Sequence, residues 1–174
     1  MLKRETRILG LSGAVTKDVT IIVGVVYRGG AWLDGIVTTV VEENQSYSRE
    51  LERTIRSTKQ FSQLHAVILS PELRLSQQAV TDLHKRIRIP ILVITKIVKG
   101  RNEGGHASGR ARINHIVNGR HVLLTAVGAP KDDAKRLFEI GCSQGSQIPE
   151  AVRVARILSL RLKGHYLDRK TTRA

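Results

Sequence analysis

Short apolar segments rich in β-branched residues dominate the beginning of the chain. The runs at 7–11, 19–27 and 32–41 are too short, and too rich in valine and isoleucine, to favour helices. Ser12 and Gly13 are predicted to end the first run, and an Arg-Gly-Gly turn separates the second run from the third. We therefore predict that the chain opens with three strands, the second and third pairing as an antiparallel hairpin.

The pattern changes to helical spacing at Ser46, after which helices and strands alternate. Tyr47, Leu51 and Ile55 recur at the spacing of one helix face, and a second helical pattern spans 75–87. Apolar runs at 65–69 and 91–97 predict buried strands before and after this second helix. Because helical crossovers join parallel strands, we predict a mixed sheet.

The remainder of the chain contains a long segment without periodicity. Residues 98–119 are rich in glycine and arginine and are predicted to form a basic loop. A sixth strand follows at 122–127, then a helix at 131–140, and Pro149 opens a last helix that reaches about Lys163. We expect one domain over 1–165 and a basic tail over 166–174.

The charge balance points to a polyanionic partner. The 174 residues include 29 Lys and Arg against 15 Asp and Glu, a formal net charge of +14. Such an excess is typical of proteins that bind phosphate backbones, and no separate amphipathic membrane anchor stands out. Aromatic residues make up only 3% of the chain, which argues against a base-stacking platform. No apolar run approaches the roughly 18 residues that cross a bilayer, so we predict a soluble, cytoplasmic protein.

Two groups of basic residues are the candidate nucleic-acid contacts. A glycine-rich backbone approaches phosphates closely, and neighbouring guanidinium groups donate charge-assisted hydrogen bonds to them. The candidates in the loop are Lys99, Arg101, Arg110 and Arg112, and those on the first helix are Arg49, Arg53 and Arg56.

Several segments resemble one archaeal nuclease family in the same order along the chain. They are Arg7-Ile8-Leu9-Gly10, Leu33-Asp34-Gly35, the run at 65–69 and Gln147-Ile148-Pro149-Glu150. Together they resemble the endonuclease dU family, which is similar to endonuclease V, over roughly residues 6–163. The resemblance implies an α/β, ribonuclease H-like fold whose mixed sheet starts with three antiparallel strands and is flanked by helices. It also implies descent from a metal-dependent nuclease that acts on deaminated bases.

The acidic residues of that family are missing at the matching positions. The family has a pair of aspartates just after the first strand and another aspartate after the fourth, where this chain has Ser12, Gly13 and Ser70. Neutral hydroxyls do not supply the charge that holds Mg²⁺ or Mn²⁺, and the histidines show no metal-ligand spacing. We therefore expect no catalytic residues at these positions and no metal or other cofactor.

An alternative set of carboxylates keeps catalysis open. Asp18, Glu42 and Glu72 follow or precede predicted strands and could meet at the sheet edge that carries Ser12. In that case the protein is an Mg²⁺- or Mn²⁺-dependent endonuclease on uracil- or hypoxanthine-containing strands. Otherwise these acids are a turn residue, a solvated strand exit and an acid in the first turn of a helix.

The sequence thus favours a nucleic-acid-binding protein on a catalytically degenerate fold. Contacts are expected mainly with phosphates, with RNA slightly favoured over DNA and a ribonucleoprotein as a natural setting. The active endonuclease is the first alternative. A protein-interaction scaffold that uses its exposed helix faces is the second.

Overall fold

The computed structural model describes residues 5–42, 46–99, 112–117 and 120–171. The described strands form one sheet of seven strands, where the sequence predicts six. In chain order the strands are Arg7–Val15 (β1), Val19–Arg28 (β2), Trp32–Glu42 (β3), Leu64–Leu69 (β4), Ile91–Lys99 (β5), Arg112–Val117 (β6) and Arg120–Val127 (β7).

The sheet is mixed, as predicted, and has the order β3-β2-β1-β4-β5-β7-β6. Antiparallel pairing of β1, β2 and β3 confirms the three-strand opening, while β4 lies parallel to both β1 and β5. Strands β7 and β6 pair antiparallel beside β5. At the carboxyl end of β4, Leu69 pairs with Leu11 and Val93, and both neighbouring strands continue past it. Strand β4 therefore ends before both of its neighbours, β1 and β5, which extend beyond it on either side.

Helices cover both faces of the sheet. The helices are Tyr47–Arg56 (α1), Gln77–Ile87 (α2), Lys131–Gly141 (α3) and Glu150–Thr171 (α4). Leu9 of β1 packs on one side with α1 and α2, whereas its neighbour Ile8 packs on the other side with α3 and α4. The alternation of side chains along a strand produces these two cores.

The predicted helical faces are confirmed, with one shift at a helix start. Leu51 and Ile55 of α1 are fully buried, as their spacing indicates. Helix α2 begins two residues after Leu75, because the Ser76 hydroxyl accepts a backbone N–H bond of the first turn and acts as the N-cap.

The prediction that β1 ends at Ser12 and Gly13 is wrong. Ser12 pairs with Val23, Gly13 pairs with Ile22, and the ladder continues to Val15. The β-branched run of β2 offers a paired partner for each of these residues up to the turn, so their low strand propensity does not stop β1.

The predicted loop at 98–119 is also wrong at both ends. Strand β5 runs to Lys99, and β6 occupies Arg112–Val117. In the part of the chain that the structure describes, β6 is an edge strand paired with β7. Its stability therefore comes from the neighbouring strand rather than from a marked apolar alternation of its own. Residues 100–111 lie outside the described part of the chain.

Helix α4 is longer than predicted and closely packed at its start. It continues past Lys163 to Thr171, so residues 166–171, expected as a tail, are helical. The single Gly164 lowers helix propensity by only about 1 kcal/mol, and no proline follows to stop the helix. At the other end, a Cβ on Gly10 of β1 would lie 2.4 Å from backbone atoms of Ala151 and Val152. A glycine is therefore required where the helix backbone meets the strand backbone.

Candidate functional site

Two buried serines meet where the central parallel strands lie side by side. Ser12 lies on β1 and Ser70 follows the last residue of β4; their relative exposures are 0% and 2%. The Ser70 backbone N–H donates to the Leu11 carbonyl over 2.9 Å, and its hydroxyl donates to the Ser12 hydroxyl over 3.1 Å. The fold thus brings together the positions at which the resemblance implies acids.

The third of these positions, Gly13, is closed by an apolar side chain. A Cβ on Gly13 would lie 2.9 Å from Leu73 Cδ2 and 3.6 Å from the Tyr47 hydroxyl oxygen. Leu73 ends the short 3-10 helix Pro71–Leu73 and is itself buried. Burial raises the pKa of Tyr47, so its phenol stays protonated at neutral pH. A carboxylate side chain at position 13 would have no room without displacement of Leu73.

This arrangement does not fit a divalent metal ion. Mg²⁺ and Mn²⁺ require anionic oxygen ligands, whereas Ser12 and Ser70 offer neutral hydroxyls that already bond to each other. Across the described residues, no group of three or more His, Cys, Asp or Glu side chains is arranged to hold a metal. The site can form hydrogen bonds but supplies no charge to activate water.

A shallow cleft opens beside the serine pair. Its volume is about 170 Å³, and its described lining contains Ser70, Arg74 and Thr95 among apolar side chains but no carboxylate. The Thr95 hydroxyl donates to the Leu123 carbonyl over 2.9 Å. Arg74 is exposed and adopts φ 47°, which ends the 3-10 helix. Sequence reasoning missed Arg74 because an isolated arginine after a turn carries no distinguishing pattern.

Two of the alternative carboxylates lie far along the sheet from the serine pair. Ser12 pairs with Val23, five residues from Asp18, which at about 3.3 Å per residue places Asp18 roughly 16 Å along the strand direction. Glu42 pairs with Val19, and the same rise puts it about 13 Å from the level of Ser12. Asp18 and Glu42 line a separate cleft of about 230 Å³.

The third alternative carboxylate, Glu72, connects two elements. Its Oε1 forms an ion pair with Arg156 Nε of α4 at a distance of 2.9 Å. Its Oε2 is buried and has no hydrogen-bond partner among the described residues. Glu72 therefore ties the turn after β4 to α4, and Arg156 neutralises its charge.

The candidate cations of α1 differ in their availability. Arg49 is exposed, and Arg53 has a side chain that is 82% exposed with a loose ion pair to Glu50 at 3.8 Å. Arg56 is held by Glu52 at 3.0 Å, and it also donates to the Arg86 carbonyl over 2.7 Å. Arg49 and Arg53 are thus available to a ligand, whereas Arg56 joins α1 to α2.

The carboxylate of Glu52 holds the two helices together. It accepts Arg56 through Oε1 and Arg86 through Oε2, the latter over 2.7 Å. The hydrogen bond from Arg56 and the neighbouring charge of Arg86 lower the pKa of Glu52. The sequence gives no sign of this contact, because Arg86 lies on a different helix.

The loop candidates are only partly within the described residues. Lys99 is the last residue of β5 and pairs with Arg120, while Arg112 begins β6 and pairs with Thr125. Arg101 and Arg110 lie outside the described residues. The backbone therefore places two of the four cations at opposite ends of β7.

A charged cluster that the sequence did not reveal fixes the start of α4. Glu150 accepts from Arg153 at 2.6 Å and from the Ser143 hydroxyl at 2.8 Å. Burial opposes ionisation of Glu150, but these hydrogen bonds outweigh it and lower the pKa. The spacing of Glu150 and Arg153 was the available signal.

No described helix is both long and apolar enough to cross a membrane.

Comparison with known sequences finds archaeal relatives. No protein-family model matches the chain. A UPF0215 protein of Methanothermobacter thermautotrophicus is 25% identical over 180 residues, covering 91% of this chain and 88% of the relative. A UPF0215 protein of Methanosarcina acetivorans is also 25% identical, and the match covers 91% of each protein.

Comparison with solved structures defines the fold. A protein of unknown function from Archaeoglobus fulgidus has a TM-score of 0.68 and 16% identity over 90% of this chain and 98% of its own. Endonuclease V of Streptomyces avermitilis has a TM-score of 0.65 and 14% identity, covering 94% and 84%. Argonaute of Marinitoga piezophila, solved with guide RNA and target DNA, has a TM-score of 0.55 and 8% identity, covering 91% of this chain and 30% of its own. The chain therefore has the ribonuclease H-like fold of endonuclease V and is similar in sequence to archaeal UPF0215 proteins.

Proposed function

We propose that this protein binds nucleic acid, with RNA favoured over DNA, on a nuclease-like fold that no longer cleaves by the metal-dependent route. The observation that carries the loss of metal-dependent cleavage is the buried hydrogen bond between Ser12 and Ser70. It occupies the place where the resemblance to endonuclease dU implies aspartates. The closure of Gly13 by Leu73 supports the same conclusion, because a second carboxylate there would meet a packed methyl group.

The distribution of charge supports phosphate binding. Many of the described acids already form ion pairs with cations of the fold, and Lys and Arg outnumber Asp and Glu in the chain by 14. These acids are Asp34, Glu50, Glu52, Glu72, Asp82, Glu139 and Glu150. The chain therefore keeps a net charge of +14, and the release of counterions favours its binding to a polyanion.

A cleavage assay tests the loss of catalysis. Purified protein is incubated with uracil- and inosine-containing RNA and DNA strands in Mg²⁺ or Mn²⁺. We expect no strand cleavage above a control without protein, because the serine site supplies no anionic ligand. Metal-dependent nicking that is abolished by Glu72→Gln or Asp18→Asn would establish the relocated carboxylates and overturn the proposal.

A salt titration tests binding. Anisotropy of labelled RNA and DNA should show log K falling linearly with log salt, by about 0.7–0.9 for each neutralised phosphate. Affinity that does not change with salt would contradict a phosphate-dominated interface. Tighter binding of DNA than of RNA of equal length would contradict the RNA preference.

A charge-matched pair of variants locates the interface. Replacement of Arg101, Arg110 and Arg112 by alanine should weaken binding strongly and leave the melting temperature nearly unchanged. The control variant removes the same number of positive charges elsewhere, at the exposed residues Lys59, Lys85 and Lys131. Equal losses in the two variants would show that net charge alone drives binding and that these three arginines are not the site.

A further inference from the structure

The edge strand β3 carries an unusual uncharged stretch. Residues 35–41 read Gly-Ile-Val-Thr-Thr-Val-Val, with no charge and no proline, in a chain that has 29 Lys and Arg. Ile36 and Val40 are 53% and 49% exposed, and Trp32 and Leu33 are also exposed at the start of the strand. Proteins normally protect a long sheet edge with lysine, proline or inward-pointing charges. None of these devices is present between residues 35 and 41.

The helix on this side of the sheet stops short of β3. Val25 and Ile21 of β2 are buried in the same cluster as Ala155 of α4. Their register partners on β3, Ile36 and Val40, point to the same face but remain half exposed. The apolar layer under α4 thus continues onto β3, where no described element covers it.

The outer backbone of β3 is also available for pairing. In the described sheet, β3 is a terminal strand that pairs only with β2. Its other side presents a row of N–H and C=O groups, which is the template that another strand would extend. A bulge between Val26 and Tyr27 of β2 leaves Asp34 out of the pairing, so the regular ladder covers residues 35–42.

We propose that β3 pairs antiparallel with β3 of a second copy of this chain, about a twofold axis at Thr38. This register places Ile36 of each copy opposite Val40 of the other and Thr38 opposite itself. On the face that carries Ile36 and Val40 the segment is self-complementary, because these two apolar residues face each other and Thr38 faces its own copy. On the opposite face, Val37 lies opposite Thr39. The sheet then continues across both copies.

The charge of the chain and the size of the contact favour a second copy as the partner of β3 and set the expected affinity of the dimer. Two chains of net charge +14 repel each other, and residues 35–41 add no charge of their own to that repulsion. The seven paired residues span about 24 Å, which places the contact near the lower limit of specific interfaces at about 1,000 Å². We therefore expect a reversible dimer with a dissociation constant in the micromolar range.

Introduced cysteines test the register of the two β3 strands. The single native cysteine, Cys142, is first replaced by alanine so that only the introduced thiols can form a disulfide. Thr38→Cys places one sulfur from each copy on either side of the twofold axis. Opposed residues there have Cβ atoms about 4.5–5.5 Å apart, so an added thiol oxidant should join the two chains by a disulfide. Ile36→Cys is the matched control: its two copies lie four residues apart, about 13 Å, beyond disulfide reach. Crosslinking of Ile36→Cys as efficient as that of Thr38→Cys would overturn the register.

Sedimentation velocity from about 1 to 100 μM in moderate salt tests the surface itself. Wild type should shift from monomer to dimer, whereas Ile36→Lys/Val40→Lys should remain monomeric because lysines face each other across the axis. Leu160→Lys is the control, since Leu160 is equally exposed but lies on α4, and it should still dimerise. A monomeric wild type at every concentration, assembly beyond dimers, or loss of the dimer only in Leu160→Lys would overturn the proposal.

Discussion

The hydrogen bond between Ser12 and Ser70 makes a quantitative prediction about stability. Both hydroxyls are buried and each is the partner of the other. Replacement of one serine by alanine leaves the other hydroxyl buried without its partner, which costs about 1–3 kcal/mol of the free energy of unfolding. For a chain of this length, each kcal/mol corresponds to about 2–4 °C in the melting temperature.

The double variant separates the pair from its two members. Ser12→Ala/Ser70→Ala removes donor and acceptor together, so no orphaned hydroxyl remains and the loss should be smaller than the sum of the single losses. We expect a coupling energy of about 1 kcal/mol between the two positions.

Urea unfolding followed by circular dichroism measures the free energy of unfolding of wild type, the two single variants and the double variant. An equal slope of that free energy against urea concentration shows that all four expose the same surface on unfolding. Ser146→Ala, which removes a hydroxyl bonded to the Ile148 carbonyl, is a control that should be additive with either serine. Strictly additive losses for Ser12 and Ser70 would refute the reasoning, because the two hydroxyls would then act independently.

Three further variants test other contacts. Glu52→Gln should lower the free energy of unfolding by about 1 kcal/mol in urea titrations, since Arg56 and the second helix lose a shared but partly exposed carboxylate. Glu150 has a lowered pKa in the fold, so the melting temperature of wild type should exceed that of Glu150→Gln at neutral pH. The difference should vanish as the pH falls below the ordinary glutamate range and through that lowered pKa. Gly13→Asp should be destabilised by about 1–3 kcal/mol, because Leu73 must move, and Mn²⁺ should not restore its melting temperature.

The sequence predicted the elements whose pattern is local. Runs of β-branched residues located β1 to β5, and the spacing of Leu51 and Ile55 located the buried face of α1. Strand β6 was missed because Arg-Ile-Asn-His-Ile-Val alternates only weakly and depends on β7 for its ladder. The extension of β1 was missed for a similar reason, since its partner strand overrides the propensities of Ser12 and Gly13.

Of the candidate site, the sequence could predict only the contacts that follow from the order of the strands in the sheet. Parallel neighbours bring Ser12 and Ser70 together once the resemblance supplies their positions. The packing of Leu73 against Gly13 depends on a single 3-10 turn after β4, which no periodicity marks. The sequestration of Arg56 depends on Arg86, which belongs to another helix and shares Glu52 with it.

The close contact between Gly10 and α4 also bears on how the chain acquires its fold during synthesis. Strand β1 is central to the sheet and emerges before the other described strands, yet one of its faces is covered by residues 151 and 152, about 140 positions later. Contacts of such sequence separation slow folding, because a long loop must close before they form. The apolar side of β1 and β2 therefore stays uncovered on the ribosome until α4 has been translated, and chaperone binding or premature self-association is most favourable in that interval.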